Sequence, residues 1–337
     1  MKYILSALFF IFLFTSGCKE SAPDYYNIRG FAQGTTYSII YDGESGLEPG
    51  LLKNEVDTFL HLFDLSLSAY NKDSRISALN RGSWVEADKW MIAVYNKALE
   101  VWKLSDGAFD ITMGPLVNAW GFGPESQEKY NVEMLDSLME LVGMNRLKLE
   151  GSRLVKENSR MYIDVNAIAQ GYSVDLLTSF LIEKGVSRCL VELGGEIRAT
   201  GSKYPGTPWK VAIDKPIDGN NIPGDQVQAI IKLENNSLAT SGNYRKYYED
   251  NDGLKYSHTI DPVTGRPVQH KLLSATIIAG DCISADAFAT ACMVKGLEGA
   301  KEMLASNPSL DAYLVYSDEN GEFRTWYTDR MLSFIEE

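Results

Sequence analysis

Apolar residues recur along the chain with two different periods, one typical of helices and one typical of strands. Helical spacing marks four stretches, at residues 48–64, 89–104, 167–184 and 284–295. Gly185 predicts the end of the third helix, while Ser284 and Gly296 are the predicted N-cap and end of the fourth. Short helical segments are also expected before residue 80, within 124–150 and at the C-terminus.

Short runs rich in β-branched and aromatic residues predict strands between and after these helices. The runs are 25–31, 36–41, 161–165, 188–193, 196–200, 209–214, 226–233, 237–240, 256–260, 273–279, 312–316 and 322–327. Many consecutive runs are separated only by turn-like residues, which favours hairpins. The predicted fold class is therefore α+β, with mainly antiparallel sheets and flanking helices.

The N-terminus has the pattern of an export signal. A basic start precedes an apolar run from Tyr3 to Phe14, which is shorter than the ~20 residues that a membrane-spanning helix needs. Small residues then lead to Cys18, as at a bacterial lipoprotein cleavage site, although ordinary signal cleavage with an incidental Cys18 is the alternative. The predicted organisation is a signal peptide at 1–17, a tether at 18–24 that starts with lipidated Cys18, and one folded domain at 25–337.

The composition is that of a globular protein with one sizeable core and an acidic surface. Hydrophobic residues make up 45% of the 337 positions, and the formal net charge is −13. An acidic surface repels phosphate backbones, so nucleic acid is not an expected partner. A phosphorylated ligand would need a local cation, a metal ion or helix N-termini. The cysteines other than Cys18 show no metal-binding spacing and are predicted to be buried.

The predicted helix that starts at Ser284 carries the most suggestive pair of oxygen ligands. Asp286 and Thr290 are four positions apart, so they share one helix face. Carboxylate and hydroxyl oxygens suit Mg²⁺, which keeps other coordination positions for water and phosphate. The structural alternative is a first-turn carboxylate that complements the helix dipole, with Thr290 bonded to a backbone carbonyl.

A second candidate is the stretch Asp164–Tyr172, where a predicted strand ends at a carboxylate and a helix begins. The small residues at this junction leave backbone N–H groups open to an anion such as phosphate. Strand-to-helix junctions of this kind are also common without any ligand.

A third candidate is the stretch Tyr256–Pro267, in which a predicted strand leads into an Asp-Pro-Val-Thr-Gly turn. His258 lies near the strand end and could act as a general base, because the reference pKa of histidine is close to neutrality. The alternative is a histidine that is hydrogen-bonded within the sheet.

The stretch 105–123 combines small and aromatic residues. An aromatic wall of this kind could hold a flat ring. The alternative is a buried loop with no ligand.

In their order and wording, these segments resemble the ApbE-type family of FAD:protein FMN transferases. The matching stretches are GTTY at 34–37, SAYNKDSRISALN at 68–80, SDGAFDITMGPLVNAWGFG at 105–123, DVNAIAQGYSVD at 164–175, ELGGEIRATG at 192–201, PWKVAIDKP at 208–216, HTIDPVTGRP at 258–267 and SADAFATA at 284–291. The resemblance extends over nearly all of the mature chain. It implies an ApbE-like α+β fold with a cleft for FAD between subregions.

The resemblance also implies roles for individual residues. FAD would be contacted by Gln33, Tyr70, Ala108, Phe109, Asp110, Asp164, Gln170 and Ile260. A Mg²⁺ ion beside the FAD pyrophosphate would be bound by Asp286, Thr290 and the carbonyl of Ala167. His258 would stand near the reacting phosphate as the candidate general base, with Asp261 or a metal-bound water as alternatives.

The chain departs from the family pattern at two of these positions. Gln33 stands where the family often has methionine, and Gln170 stands where it often has lysine. A lysine could pair with phosphate, and Gln170 cannot supply that charge.

The implied reaction is Mg²⁺-dependent transfer of FMN from FAD to a Thr or Ser hydroxyl of a target protein, with release of AMP. The implied target is a periplasm-facing subunit of a membrane redox complex, and the enzyme would be lipid-anchored to the inner membrane. Two alternatives stay open. One is an FAD pyrophosphatase that gives FMN and AMP, and the other is a non-catalytic FAD-binding lipoprotein.

Overall fold

The computed structural model describes residues 23–125, 134–217, 224–243, 247–249 and 255–336. Its helices are α1 (Pro49–Leu67), α2 (Arg75–Asn80), α3 (Lys89–Leu104), α4 (Gly114–Ala119), α5 (Leu135–Met139), α6 (Asn166–Glu183) and α7 (Cys282–Ser306). Its strands are β1 (Tyr25–Ala32), β2 (Thr35–Asp42), β3 (Leu147–Glu150), β4 (Arg153–Lys156), β5 (Cys189–Leu193), β6 (Glu196–Thr200), β7 (Trp209–Asp214), β8 (Val227–Leu233), β9 (Ser237–Gly242), β10 (Tyr247–Glu249), β11 (Lys255–Ser257), β12 (Leu272–Ala279), β13 (Asp311–Ser317) and β14 (Phe323–Tyr327).

One eight-stranded sheet organises these elements. Its strand order is β1-β2-β5-β6-β9-β12-β13-β14, and every neighbouring pair is antiparallel. Three two-stranded ribbons, β3–β4, β7–β8 and β10–β11, accompany the sheet. The antiparallel α+β fold predicted from the sequence is therefore confirmed.

The two faces of the sheet are covered by different partners. Because alternate residues of a strand point to opposite faces, β12 directs Ala275 and Ile277 towards the helices and Ile278 towards the other side. Helices α3, α6 and α7 cover the first face. The β7–β8 ribbon covers the second face with buried side chains such as Trp209 and Ile231.

Helices α6 and α7 lie against each other at the centre of the helical layer. Gly171 of α6 faces Asp286 of α7, and Asp175 faces Cys282, so the two helices run antiparallel. A Cβ atom at Gly171 would lie 2.4 Å from the carbonyl oxygen of Cys282. Glycine is therefore required for the close approach of the two backbones.

The bounds of α7 differ from the prediction. Asp281 is the N-cap, because its carboxylate accepts a hydrogen bond from the N–H of Ser284 at 3.0 Å. The helix also continues beyond Gly296, which adopts φ +68° and interrupts the helical geometry without ending the element. The sequence therefore located the break correctly but not the end of the helix.

Two other predicted elements also differ. The strand expected at 161–165 is reduced to one isolated bridge between Met113 and Tyr162. The helix expected at the C-terminus is a short 3₁₀ turn at Asp329–Ser333. In the part of the chain that the structure describes, no helix combines the length and apolar character needed to cross a bilayer.

The predicted signal peptide and Cys18 lie outside the described residues. The other three cysteines, Cys189, Cys282 and Cys292, are free and buried, which confirms the prediction made for them.

Candidate functional site

A buried carboxylate at the contact of α6 and α7 is the centre of the site. Asp286 is 6% exposed, and its Oδ2 accepts a hydrogen bond from the N–H of Gly171 at 3.0 Å. Burial raises the pKa of Asp286 to about 7, and the Gly171 hydrogen bond opposes that shift. Among the described residues, no hydrogen bond or ion pair reaches its second oxygen, so that oxygen is available to a ligand.

Ala167 lies one turn before Gly171, at the start of α6. The N–H of Gly171, which in a regular helix points towards the carbonyl of Ala167, donates to the Asp286 carboxylate. Ala167 itself has φ −83° and ψ +15°, so its carbonyl is rotated away from the direction it takes in a regular helix. The binding of a ligand by this carbonyl stays a prediction.

Thr290 follows Asp286 by one turn and lies on the same face of α7. Its hydroxyl is 3.3 Å from the hydroxyl of Ser241 at the end of β9. Sequence reasoning did not find Ser241, which reaches this place only because β9 runs beneath α7. The Asp286 carboxylate and the Thr290 hydroxyl thus lie one turn apart on α7, which packs against the start of α6 that carries the Ala167 carbonyl.

This donor set fits a hard divalent cation. Mg²⁺ prefers a few oxygen ligands and keeps several waters, and a cation would offset the burial of the Asp286 carboxylate. Within the described ranges, no cluster of three or more His, Cys, Asp or Glu residues suits a metal ion. The set of Asp286, Thr290 and the Ala167 carbonyl contains one carboxylate and two neutral oxygens, so it is a different kind of site from a cluster of charged or imidazole ligands.

Asp164 lies two residues before the start of α6. Its N–H donates to the carbonyl of Ile111 at 2.8 Å, and its Oδ1 accepts from the N–H of Asn166 at 2.9 Å. Burial raises the pKa of Asp164. The phenol of Tyr70 lies within electrostatic range of Asp164. Its pKa is raised, first by partial burial and second by the charge of Asp164. The Tyr70 side chain is 59% exposed, so it is free to contact a ligand.

Asn80 joins two of these segments, and sequence reasoning did not single it out. Its amide donates to the carbonyl of Ile163 at 2.9 Å and accepts from the N–H of Ile163 at 2.8 Å. The ammonium group of Lys156 donates to the carbonyls of Asn80 and Met161 at 3.2 and 2.8 Å. The loop that carries Asp164 is therefore fixed to the end of α2.

The residues 108–110 are directed into the protein. Phe109 is 2% exposed and packs in the main core, and Ala108 is 7% exposed. Both oxygens of Asp110 are used internally, by the N–H and hydroxyl of Thr112 at 2.7 and 2.6 Å and by the N–H of Met144 at 2.8 Å. The Phe109 ring is therefore enclosed by core side chains and cannot be part of the aromatic wall predicted for 105–123. Contact of the 108–110 backbone with FAD stays a prediction.

His258 and Ile260 lie beside the loop that follows β9. The ring of His258 meets the ring of Phe122 edge-on, with 6.4 Å between centroids. The neighbouring Thr259 donates to the side chain of Asn243 at 2.8 Å, one residue beyond β9 and two beyond Ser241. Ile260 is buried with Met113 and Leu116, so its side chain supports the loop and only its backbone is left for a ligand.

The two positions that depart from the family pattern are close together. Gln33 adopts φ +51° in the β1–β2 turn, and its Oε1 lies 3.5 Å from the hydroxyl of Ser173. That hydroxyl also donates to the carbonyl of Gln170 at 2.8 Å. The Nε2 of Gln33 is buried and has no hydrogen-bond partner among the described residues, which leaves a donor beside the start of α6.

Known proteins share both the sequence pattern and this architecture. The model of the ApbE family matches residues 33–314. The chain belongs to the ApbE family. A relative from Vibrio cholerae named FAD:protein FMN transferase is 36% identical, over 91% of this chain and 92% of its own length. A relative of the same name from Escherichia coli K12 is 35% identical, over 98% of this chain and 96% of its own length.

Solved structures of ApbE proteins have the same fold as this ApbE-family chain. The flavin transferase ApbE from Vibrio cholerae superimposes with a TM-score of 0.83 at 33% identity, over 93% of this chain and 99% of that one. The apo flavinyl transferase ApbE from Pseudomonas stutzeri also gives 0.83 at 33% identity, over 94% and 98% of the two chains.

A further residue missed by sequence reasoning is Asp175 of α6. It is 7% exposed and lies between the buried residues Val174 and Leu177. An ionisable residue on the apolar face of a helix is rarely fully buried unless it is paired. That signal was present in the sequence and could have identified Asp175 as a residue with a partner.

Proposed function

We propose that this ApbE-family chain transfers FMN from FAD to a hydroxyl group of a target protein and releases AMP. Support comes from the names of the relatives, which match nearly the whole length of the chain at 35–36% identity. It also comes from the site, where the Asp286 carboxylate bonds the backbone of α6 one turn from the Ala167 carbonyl and one turn from Thr290 along α7.

The observation that carries the proposal is the Asp286 carboxylate bonded to the N–H of Gly171. It places a carboxylate one turn from the rotated carbonyl of Ala167, beside the helix start where a phosphate would be stabilised. A carboxylate and a pyrophosphate repel each other when both are ionised, and a cation between them would offset that repulsion. A pyrophosphate at this helix start therefore favours a metal ion beside Asp286.

We assign Asp286, Thr290 and the Ala167 carbonyl as the residues that would hold Mg²⁺. When bound, Mg²⁺ would neutralise charge on the FAD pyrophosphate and on the departing AMP phosphate. Gln170 and the buried Nε2 of Gln33 would donate hydrogen bonds where other family members often have lysine and methionine. Asp164 and the exposed ring of Tyr70 would orient the nucleotide.

In the reaction, the hydroxyl oxygen of the acceptor forms a bond to the FMN phosphorus. The bond between that phosphorus and the bridging oxygen breaks, AMP leaves with that oxygen, and the hydroxyl proton passes to a base. His258 is the preferred base. Asp261 is the weaker candidate, because its oxygens accept from the N–H of Val263 at 2.9 Å and the hydroxyl of Thr264 at 3.0 Å.

The acceptor proposed from the family resemblance is a Thr or Ser on a periplasm-facing subunit of a membrane redox complex. The same proposal places the enzyme at the inner membrane, held by lipid on Cys18.

Lipidation of Cys18 is tested with globomycin, an antibiotic that blocks cleavage of lipoprotein signal peptides. Cells that produce the protein and are treated with globomycin should accumulate the uncleaved precursor. Normal cleavage of the precursor in the presence of globomycin would contradict lipidation.

The transfer itself is tested by mass spectrometry of a candidate redox subunit after incubation with the enzyme, FAD and Mg²⁺. We expect the subunit to gain the mass of FMN less water at one Thr or Ser, with one AMP released per modified residue. Free FMN and AMP without labelling would indicate a pyrophosphatase, and unchanged FAD would indicate a binding protein.

Asp286→Ala should lower the rate of FMN transfer about 1,000-fold, since a catalytic metal supplies several kcal/mol of transition-state stabilisation.

A further inference from the structure

Two buried carboxylates connect α6 and α7 in opposite directions. Asp286 of α7 accepts from the N–H of Gly171 in α6. Asp175 of α6 accepts from the N–H groups of Cys282 and Ile283, the first residues of α7, at 2.9 Å each. Each helix therefore provides a carboxylate to the backbone of the other.

The two connections lie one helical turn apart. Gly171 and Asp175 are separated by four residues, as are Cys282 and Asp286, and four residues span ~6 Å along a helix axis. A shift of α7 along α6 would break both connections at once. The position of Asp175 thus fixes the position of Asp286 relative to the Ala167 carbonyl.

Asp175 is itself held by the central sheet. The guanidinium group of Arg198 in β6 forms a salt bridge with its Oδ1, which also accepts from Cys282, while Oδ2 accepts from Ile283. Both oxygens are thus engaged, and unlike Asp286 neither is left for a ligand. Asp175 and Arg198 together anchor α6 and α7 to the same strand.

Starting α7 does not by itself require Asp175. Asp281 already caps the helix from within the same segment, by accepting from the N–H of Ser284. Asp175 adds an acceptor that comes from another element, 107 residues away in sequence for Cys282. Its distinct contribution is therefore the relative placement of the two helices.

We propose that Asp175, oriented by Arg198, is a positioning residue for the metal site. It holds α7 so that Asp286 and Thr290 face the Ala167 carbonyl, and it has no contact with the metal itself. This inference rests on the metal assignment in the proposed function and adds a residue to it.

The test measures binding of Mn²⁺ alone, as a Mg²⁺ substitute, to the mature protein by electron paramagnetic resonance. Asp175→Asn keeps the shape but removes the charge that faces Arg198 and places an amide against a backbone N–H. We expect its Kd for Mn²⁺ to rise at least tenfold. Arg198→Gln leaves both backbone hydrogen bonds possible and should raise the Kd less, in the same direction, so it serves if Asp175→Asn does not fold.

Asp42, at the end of β2, provides a matched control whose hydrogen-bond partners lie outside the contact of α6 and α7. It is fully buried, accepts from the N–H of Arg188 at 2.7 Å and of Glu44 at 3.2 Å, and lies 3.7 Å from the Arg188 guanidinium. Asp42→Asn should lower the melting temperature as Asp175→Asn does, yet leave the Kd for Mn²⁺ within twofold of wild type. All measurements are made well below the melting temperature of each variant.

The outcomes separate the two proposals. A higher Kd for Mn²⁺ in Asp175→Asn or Arg198→Gln, but not in Asp42→Asn, supports the positioning role. Wild-type affinity in both Asp175→Asn and Arg198→Gln, or an equal loss in Asp42→Asn, overturns it while the metal assignment stands. Wild-type protein that binds no Mn²⁺ overturns both.

Discussion

At the scale of single residues, the partners of a buried carboxylate decide what it can do. Asp110 is held by three hydrogen bonds from Thr112 and Met144, and Asp175 by two backbone N–H groups and Arg198. Asp286 has a single hydrogen bond. A buried carboxylate with so few donors is costly unless a cation reaches it, which distinguishes a ligand from a structural residue.

His258 allows a prediction at this scale. His258→Ala should lower the rate of FMN transfer about 100-fold or more, because a general base contributes about 10²–10⁴-fold. The affinity for FAD should change little, since the imidazole acts on the acceptor hydroxyl. Single-turnover transfer and equilibrium FAD binding are measured on the same preparation. A transfer rate equal to wild type would remove His258 as the base.

At the scale of elements, the site depends on how closely α6 and α7 pack. The missing side chain of Gly171 lets the Cys282 carbonyl approach to within 2.4 Å of where a Cβ would be, and Asp286 Cβ to within 2.7 Å. Helix propensity alone would favour alanine at this position. Glycine is therefore explained by the partner helix and not by α6 itself.

Gly171→Ala should destabilise the protein by about 1–3 kcal/mol, as overpacking of a core contact does, and should weaken metal binding by separating Asp286 from α6. Denaturant unfolding and Mn²⁺ titration are the two measurements. Gly299→Ala in α7 is the control, because the atoms nearest to an added Cβ there belong to the side chain of Lys295 and not to another helix. Equal stability of Gly171→Ala and wild type would show that the helices tolerate a methyl group between them.

At the scale of the whole molecule, the site unites segments that are far apart in sequence. The β1–β2 turn, the end of α2, the loop before α6 and the start of α7 each contribute, and the central sheet connects them. A ligand that contacts all of them binds only the folded chain. Binding of this kind raises the free energy of unfolding by RT ln(1 + [L]/Kd), where [L] is the free ligand concentration.

Mg²⁺ and FAD together should therefore raise the melting temperature by roughly 4 °C at ligand concentrations near 100 times Kd. This follows from ~2.7 kcal/mol of linkage at that saturation and from an unfolding entropy of ~2.1 cal/mol/K per residue, which gives about 1.5 °C per kcal/mol for a domain of about 310 residues. Differential scanning fluorimetry with each ligand alone and with both gives the comparison. In Asp286→Ala the increment that depends on Mg²⁺ should vanish, and an undiminished increment would contradict the metal assignment.

Much of the fold was predictable because hydrophobic periodicity is local. The helices α1, α3 and α6 and most strands of the sheet lie within a few residues of their predicted bounds. The failures have tertiary causes. Among the described residues, the 161–165 stretch finds only Met113 as a bridge partner, and its last residue, Val165, has left the extended conformation with ψ +10°. Helix α7 continues past Gly296 because its second half still packs on the core through Ala300 and Met303.

The sequence by itself determined the family, the antiparallel α+β class and the order of the segments, because these follow from local patterns and motif wording. Only the tertiary structure decided that Phe109 and Asp110 face inward, that Gly171 donates to Asp286, and that Asp175 accepts from the first N–H groups of α7. These facts depend on which groups lie across a contact of two helices or two loops. No local periodicity records the distance between atoms more than 100 positions apart, and that distance decides whether a carboxylate is a structural partner or a ligand.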